Sequence, residues 1–112
     1  MVNKNLTLTQ RRINFSRDVA KLLDYAISLG IDFYIKEVER NVEYQEWLIQ
    51  HGFSKTKTSK HISGLAIDLA IMKNGVFSQN IEDYRPLGEF WKQLGHTWGG
   101  DWQWKDVFHF EE

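Results

Sequence analysis

The sequence predicts an α+β fold: a small, largely antiparallel sheet with flanking helices. Three observations carry this. Helical periodicity is confined to separate segments, the strand-like runs are short, and two of those runs are joined by Asn74-Gly75, a dipeptide that favours a tight hairpin.

The first helix begins at Thr7, which with Gln10 has the spacing of a capping box. Val19, Leu22, Leu23, Ala26 and Ile27 recur at helical spacing, and Gly30 suits the helix end. Residues 31–38, IDFYIKEV, read as a strand with Phe33 and Ile35 on one face. Residues 43–51 read as a short helix closed by Gly52, and 54–60, SKTKTSK, as a polar basic loop. Residues 65–72, LAIDLAIM, form a strand that turns through Asn74-Gly75 into a second near Val76 and Phe77. Pro86 is placed to open a helix over 86–94, stopped by Gly95. HTWGGDWQWKD reads as an irregular aromatic loop, and VFHF, 107–110, as a final short strand.

The 112 residues contain no linker or low-complexity tract, so the expectation is a single domain over 1–112. Apolar content of 42% and charged content of 26% fit a soluble globular chain. A net charge of −1 gives no global pull toward nucleic acid or an anionic membrane. With no cysteine, disulfides and thiolate metal sites are excluded, and a metal must be held by His and carboxylate. The segment MVNKNLTLTQRR lacks the apolar core of a signal peptide, and no apolar run reaches the ~18 residues of a membrane span. The expectation is synthesis in the cytoplasm, with no membrane insertion and a monomeric state. For a substrate outside the membrane, something else must then deliver the protein or open the membrane.

The chemistry concentrates in two segments. In SKHISGLAIDLA, 59–70, strand alternation sends Leu65, Ile67, Leu69 and Ile71 one way and Ala66, Asp68 and Ala70 the other. Asp68 therefore stands between two small residues that leave room for a metal and a substrate. His61 lies just before the strand, and Gly64 lets the backbone bend between them. In the second segment, WGGDWQWKDVFHFEE, His109 alternates with Phe108 and Phe110 and so projects away from two core aromatics. Two imidazoles and one carboxylate, with the fourth position open, are a known catalytic zinc set; such a zinc lowers the pKa of its water to about 7. Asp106, three residues before His109, must sit in the turn ahead of the strand to reach that water, where it would serve as general base and then as acid to a leaving amine. Spacing alone also fits a loop histidine and a capped turn carboxylate.

The quoted residues resemble the family of zinc D,D-peptidases and L-alanyl-D-glutamate endolysins, which includes VanY-type carboxypeptidases and phage lysis enzymes. Its first motif, Ser-x-His-x-x-Gly-x-Ala-x-Asp, stands complete as Ser59, His61, Gly64, Ala66 and Asp68. Its second, an acidic residue and then His after two intervening positions, is Asp106 and His109, after a familial Trp98-Gly99-Gly100-Asp101-Trp102 stretch. The resemblance spans roughly 31–111. It implies a hedgehog/DD-peptidase-like fold, zinc on His61, Asp68 and His109, and Asp106 as base. It also implies a substrate-facing arginine, for which Arg40 is the candidate, although Asn41 and Tyr44 replace the Thr and Gln that often follow it. Ser59 is either a substrate contact or a loop-ordering hydroxyl. Asp101 reads as structural, His51 and His96 as surface or helix-end residues, and Trp98, Trp102 and Trp104 as core and cleft wall.

The function implied is hydrolysis of the peptidoglycan stem peptide by an enzyme of phage or prophage lysis type, with the L-alanyl-D-glutamate bond favoured. The alternatives are a D-alanyl-D-alanine carboxypeptidase or dipeptidase, and a non-catalytic zinc-containing binding module. Asp106 argues against the last, because a pure binder needs only the three ligands.

Overall fold

A computed structural model describes residues 5–37, 42–52 and 60–112. Helix α1 runs Leu8–Ser28. Its start is the expected capping box: the Thr7 hydroxyl accepts from the Gln10 amide, and the Gln10 side chain accepts from the Thr7 amide. Its end is a Schellman turn, with the Gly30 amide on the Ile27 carbonyl, the Ile31 amide on the Ala26 carbonyl, and Gly30 at φ +72°. Phe15, Leu22 and Ala26 fall on one helical face and are buried.

Strand β1, Asp32–Glu37, pairs antiparallel with β2, Ala66–Lys73. The register is broken between Ile35 and Glu37 by a bulge. Phe33 and Ile35 share a face, as expected, opposite Ile71 and Leu69, but Ile35 stands half exposed at the sheet margin. Helix α2, Val42–Gln50, precedes Gly52 at φ +76°. Asn74 and Gly75, both at positive φ, form the two-residue turn from β2 into β3, Val76–Phe77.

Helix α3 spans Ile81–Gln93, so it starts five residues before the expected position. Asn80 caps it by accepting from the Glu82 amide, and Glu82 and Asp83 place negative charge in the first turn. Pro86 therefore lies inside the helix, where its missing N–H removes one intrahelical bond. Buried Tyr84 locks α3 to the sheet: its hydroxyl donates to the Ser78 carbonyl and accepts from the Ile71 amide.

The loop expected at 96–106 contains β4, Thr97–Trp98, and a 3₁₀ turn, Gly99–Asp101. The last strand, β5, is His109–Glu111 and not 107–110, because the His109 amide closes a turn on the Asp106 carbonyl. The sheet order is β1-β2-β5-β4, with β3 also on β2. One sheet face, including Ile67, Leu69, Ile71, Trp98 and Phe110, packs with α1 and α3 into the core around Trp91. The residues of β2 between them, Ala66, Asp68 and Ala70, face the other way, as alternation requires.

Candidate metal centre

His61 sits in the turn that enters β2. That turn is closed by the Gly64 amide on the His61 carbonyl and the Leu65 amide on the Lys60 carbonyl, with Gly64 at φ +72°. Arg12 of α1 fastens it from outside by donating to the Ser63 carbonyl at 2.6 Å. Asp68 and His109 are directly opposite each other in the β2–β5 register, so their side chains leave the sheet on the same face. Both histidines are buried.

The three side chains converge. His61 Nε2 lies 3.2 Å from His109 Nδ1 and 3.3 Å from Asp68 Oδ1, and His109 Nδ1 lies 3.2 Å from the same oxygen. Tetrahedral ligands at the usual zinc distances of about 2.0–2.1 Å are separated by about 3.3 Å. The triangle thus has the size and donor chemistry of one face of a zinc tetrahedron. Burial pushes the Asp68 carboxyl up, but hydrogen bonds from His109 and His61 outweigh it and hold the group at about 2. Burial likewise opposes charge on His109, and hydrogen bonds to Asp68 and Glu111 raise it to about 9 in the metal-free protein.

Asp106 lies in the turn before β5, as its spacing requires. Burial raises its pKa, and the neighbouring Asp68 charge raises it further, against smaller opposing effects of His109 and His61. Its charge is thus coupled to all three convergent residues, and its raised proton affinity suits acid–base work. Gly99 makes this placement possible: a Cβ there would come within 2.3 Å of the Asp106 carbonyl oxygen and 3.1 Å of His109 Cβ. Trp102, half-buried, walls the site with its ring 5.0 Å from that of His109.

The M15 peptidase family described by the name D-alanyl-D-alanine carboxypeptidase matches residues 53–112, more than half of the chain. The chain belongs to the M15 peptidase family. Over 85 residues it is 34% identical to the L-alanyl-D-glutamate peptidase of Listeria phage A118, covering 73% of this chain and 30% of that protein. Over 106 residues it is 33% identical to the peptidoglycan L-alanyl-D-glutamate endopeptidase CwlK of Bacillus subtilis strain 168, covering 77% and 64% respectively. The chain therefore spans less than two thirds of the length of either relative. The crystal structure of the Serratia marcescens L-Ala D-Glu endopeptidase ChiX matches with a TM-score of 0.72 at 28% identity, over 88% of this chain and 77% of that one. The vancomycin-resistance D,D-pentapeptidase VanY, solved with Zn(II), matches with a TM-score of 0.62 at 21% identity, over 88% and 70%, a likeness of fold.

Other residues of this M15 peptidase are placed as follows. Arg40 and Ser59 lie outside the described residues. Asp101 pairs with Lys92 of α3 at 3.0 Å. His51 is an exposed helix-end residue stacked on Trp47. His96 also follows a helix end but is not a surface residue: it stacks on buried Trp91 and meets Asp18 of α1 at 2.6 Å. Trp98 belongs to the core and Trp104 is exposed. Glu111 also joins the site: its carboxylate lies 2.8 Å from His109 Nε2. The signal available for that contact was its place two residues on along the same strand, and so on the same face. Among the described residues no helix is long and apolar enough to cross a membrane.

Proposed function

We propose that this M15 peptidase is a zinc endopeptidase of the bacterial peptidoglycan stem peptide, cutting the L-alanyl-D-glutamate bond. The observation that carries the reading is the triangle of His61, Asp68 and His109 donor atoms, 3.2–3.3 Å on each side, with Asp106 beside it. Both curated relatives named above act on the L-alanyl-D-glutamate bond, which favours that bond over the terminal D-alanine.

His61, Asp68 and His109 would hold the ion through Nε2, Oδ1 and Nδ1. When bound, zinc supplies Lewis acidity, which polarises the scissile carbonyl and makes water a competent nucleophile near neutral pH. Asp106 would accept the proton from the attacking water and return it to the departing amine, so that no charged amide anion has to leave. Burial of Asp106 beside Asp68 favours that exchange, because a carboxylate of raised proton affinity takes the proton more readily. Trp102 would form one wall of the site beside His109. Arg40 and Ser59 are proposed to hold the substrate, Arg40 by a bidentate grip on a carboxylate. A monomer made in the cytoplasm and released to the wall by a separate membrane-permeabilising protein completes the proposal.

The test is digestion of purified peptidoglycan followed by mass spectrometry of the new amino termini, with and without a chelator. A new D-glutamate terminus, abolished by chelation and restored by zinc, is expected. Release of free D-alanine alone would replace this reading with the carboxypeptidase activity in the family description. Zinc binding without cleavage would replace it with a non-catalytic module.

A further inference from the structure

We infer that Glu111 is a positioning residue that presents His109 Nδ1 to the metal; the inference rests on the zinc reading above. A neutral imidazole carries one proton on one of its two nitrogens, and only the bare nitrogen can bind a metal. His109 Nδ1 is the atom that faces Asp68 and His61, at 3.2 Å from each partner atom. For it to be bare, the proton must sit on Nε2. Glu111 Oε1 lies 2.8 Å from Nε2, and a carboxylate is an acceptor only, so this contact holds the proton on Nε2 and fixes the ring plane.

The structure holds Glu111 in this pose. Its backbone carbonyl accepts from Nε1 of fully buried Trp91 at 2.9 Å, which anchors β5 against α3. Its strand partner on β2 is Ala66, whose small side chain leaves room for the carboxylate to fold back toward His109. Lys60 Nζ stands 3.7 Å from the second oxygen, Oε2, and donates to the Glu112 carbonyl at 3.0 Å. Lys60 is the chain neighbour of His61. One cation thus links the segment that carries the first histidine to the carboxylate that orients the second.

Two measurements test this. Zinc affinity is compared by chelator competition in wild type, Glu111→Ala and Glu111→Gln, with the melting of each metal-free protein as the folding control. Glu111→Ala is expected to bind zinc about 10–100-fold more weakly, the usual effect of removing such a partner, and Glu111→Gln, which keeps an acceptor but not the charge, to fall between. A folded Glu111→Ala that binds zinc as tightly as wild type would overturn the inference. The second measurement needs no variant: long-range proton–nitrogen spectra of zinc-loaded wild type should show the His109 proton on Nε2 and protected from exchange. A proton on Nδ1 would overturn the inference even if Glu111→Ala failed to fold. Failure of wild type to bind stoichiometric zinc would instead remove the metal reading itself.

Discussion

At the scale of the residue, metal holding and proton transfer are assigned to different side chains, and substitution can separate them. His61→Ala, Asp68→Ala and His109→Ala should each lose stoichiometric zinc by elemental analysis, and with it activity. Asp106→Asn should keep zinc and fold but lose on the order of 10²–10⁴ in kcat, because the carboxylate that accepts the proton is gone while shape and hydrogen bonding remain. Near wild-type cleavage by Asp106→Asn would place the base elsewhere. Asp101 is not available for that role, since it pairs with Lys92 of α3. Strand alternation made the outward projection of Asp68 and His109 legible, and the family motif pointed to their meeting. What spacing could not carry was the register, which sets Asp68 directly across from His109. The contact of Glu111 with His109 escaped for another reason: a side chain's choice between solvent and a neighbour two residues back depends on what stands across the strand, here Ala66.

At the scale of the element, three glycines do steric work around one tryptophan and one turn. The Trp98 ring is wedged between Gly88 of α3 and Gly100, where an added Cβ would come within 2.2 Å and 2.3 Å of ring atoms, and its Nε1 donates to the Val107 carbonyl. Gly99 admits the Asp106 turn. Gly99→Ala must therefore displace that turn. We expect a loss of at least about 1–3 kcal/mol in denaturant unfolding, typical of overpacking, together with a fall in kcat larger than any fall in zinc affinity. An unchanged kcat in Gly99→Ala would mean that the Asp106 turn tolerates movement. Local signals were legible wherever they were chemically unambiguous: the Thr7–Gln10 box, the Asn74-Gly75 turn and the Gly30 and Gly95 stops. The start of α3 was misread because Pro86 is a strong helix-opening signal, and the cap that prevails, Asn80 with Glu82 and Asp83 behind it, is a weaker pattern spread over several residues. The end strand was displaced because the residues before it are taken up by a turn, closed by the His109 amide on the Asp106 carbonyl, that no local residue signal announces.

At the scale of the molecule, the last residue of the chain is tied to the first helix by an Arg11–Glu112 ion pair. The Arg11 hydrogen bond holds the Glu112 carboxyl below its ordinary range, against a smaller effect of burial. A carboxyl of depressed folded-state pKa stabilises the fold above its unfolded pKa, about 4.3, and loses that contribution as pH falls through the folded value. Glu112→Gln should thus lower Tm at neutral pH, and the difference from wild type should close on acidification below about 4. A constant difference across that range would assign the effect to packing. The proposed zinc ligands are also distant in sequence. Asp68 and His109 are 41 residues apart and His61 and His109 are 48 apart, so the site exists only in the folded chain. Zinc should therefore raise Tm in proportion to the logarithm of its free concentration, by about 2.7 kcal/mol in unfolding free energy at a hundredfold excess over Kd.

That separation along the chain also bears on how long the protein survives. Proteases attack the opened chain, and where opening and closing are fast their rate follows the population of opened molecules. A copy that lost the proposed ion would therefore lose part of its protection along with activity. In surroundings poor in zinc, loss of the proposed ion would shorten the life of the protein as well as silence it, and reloading would restore both.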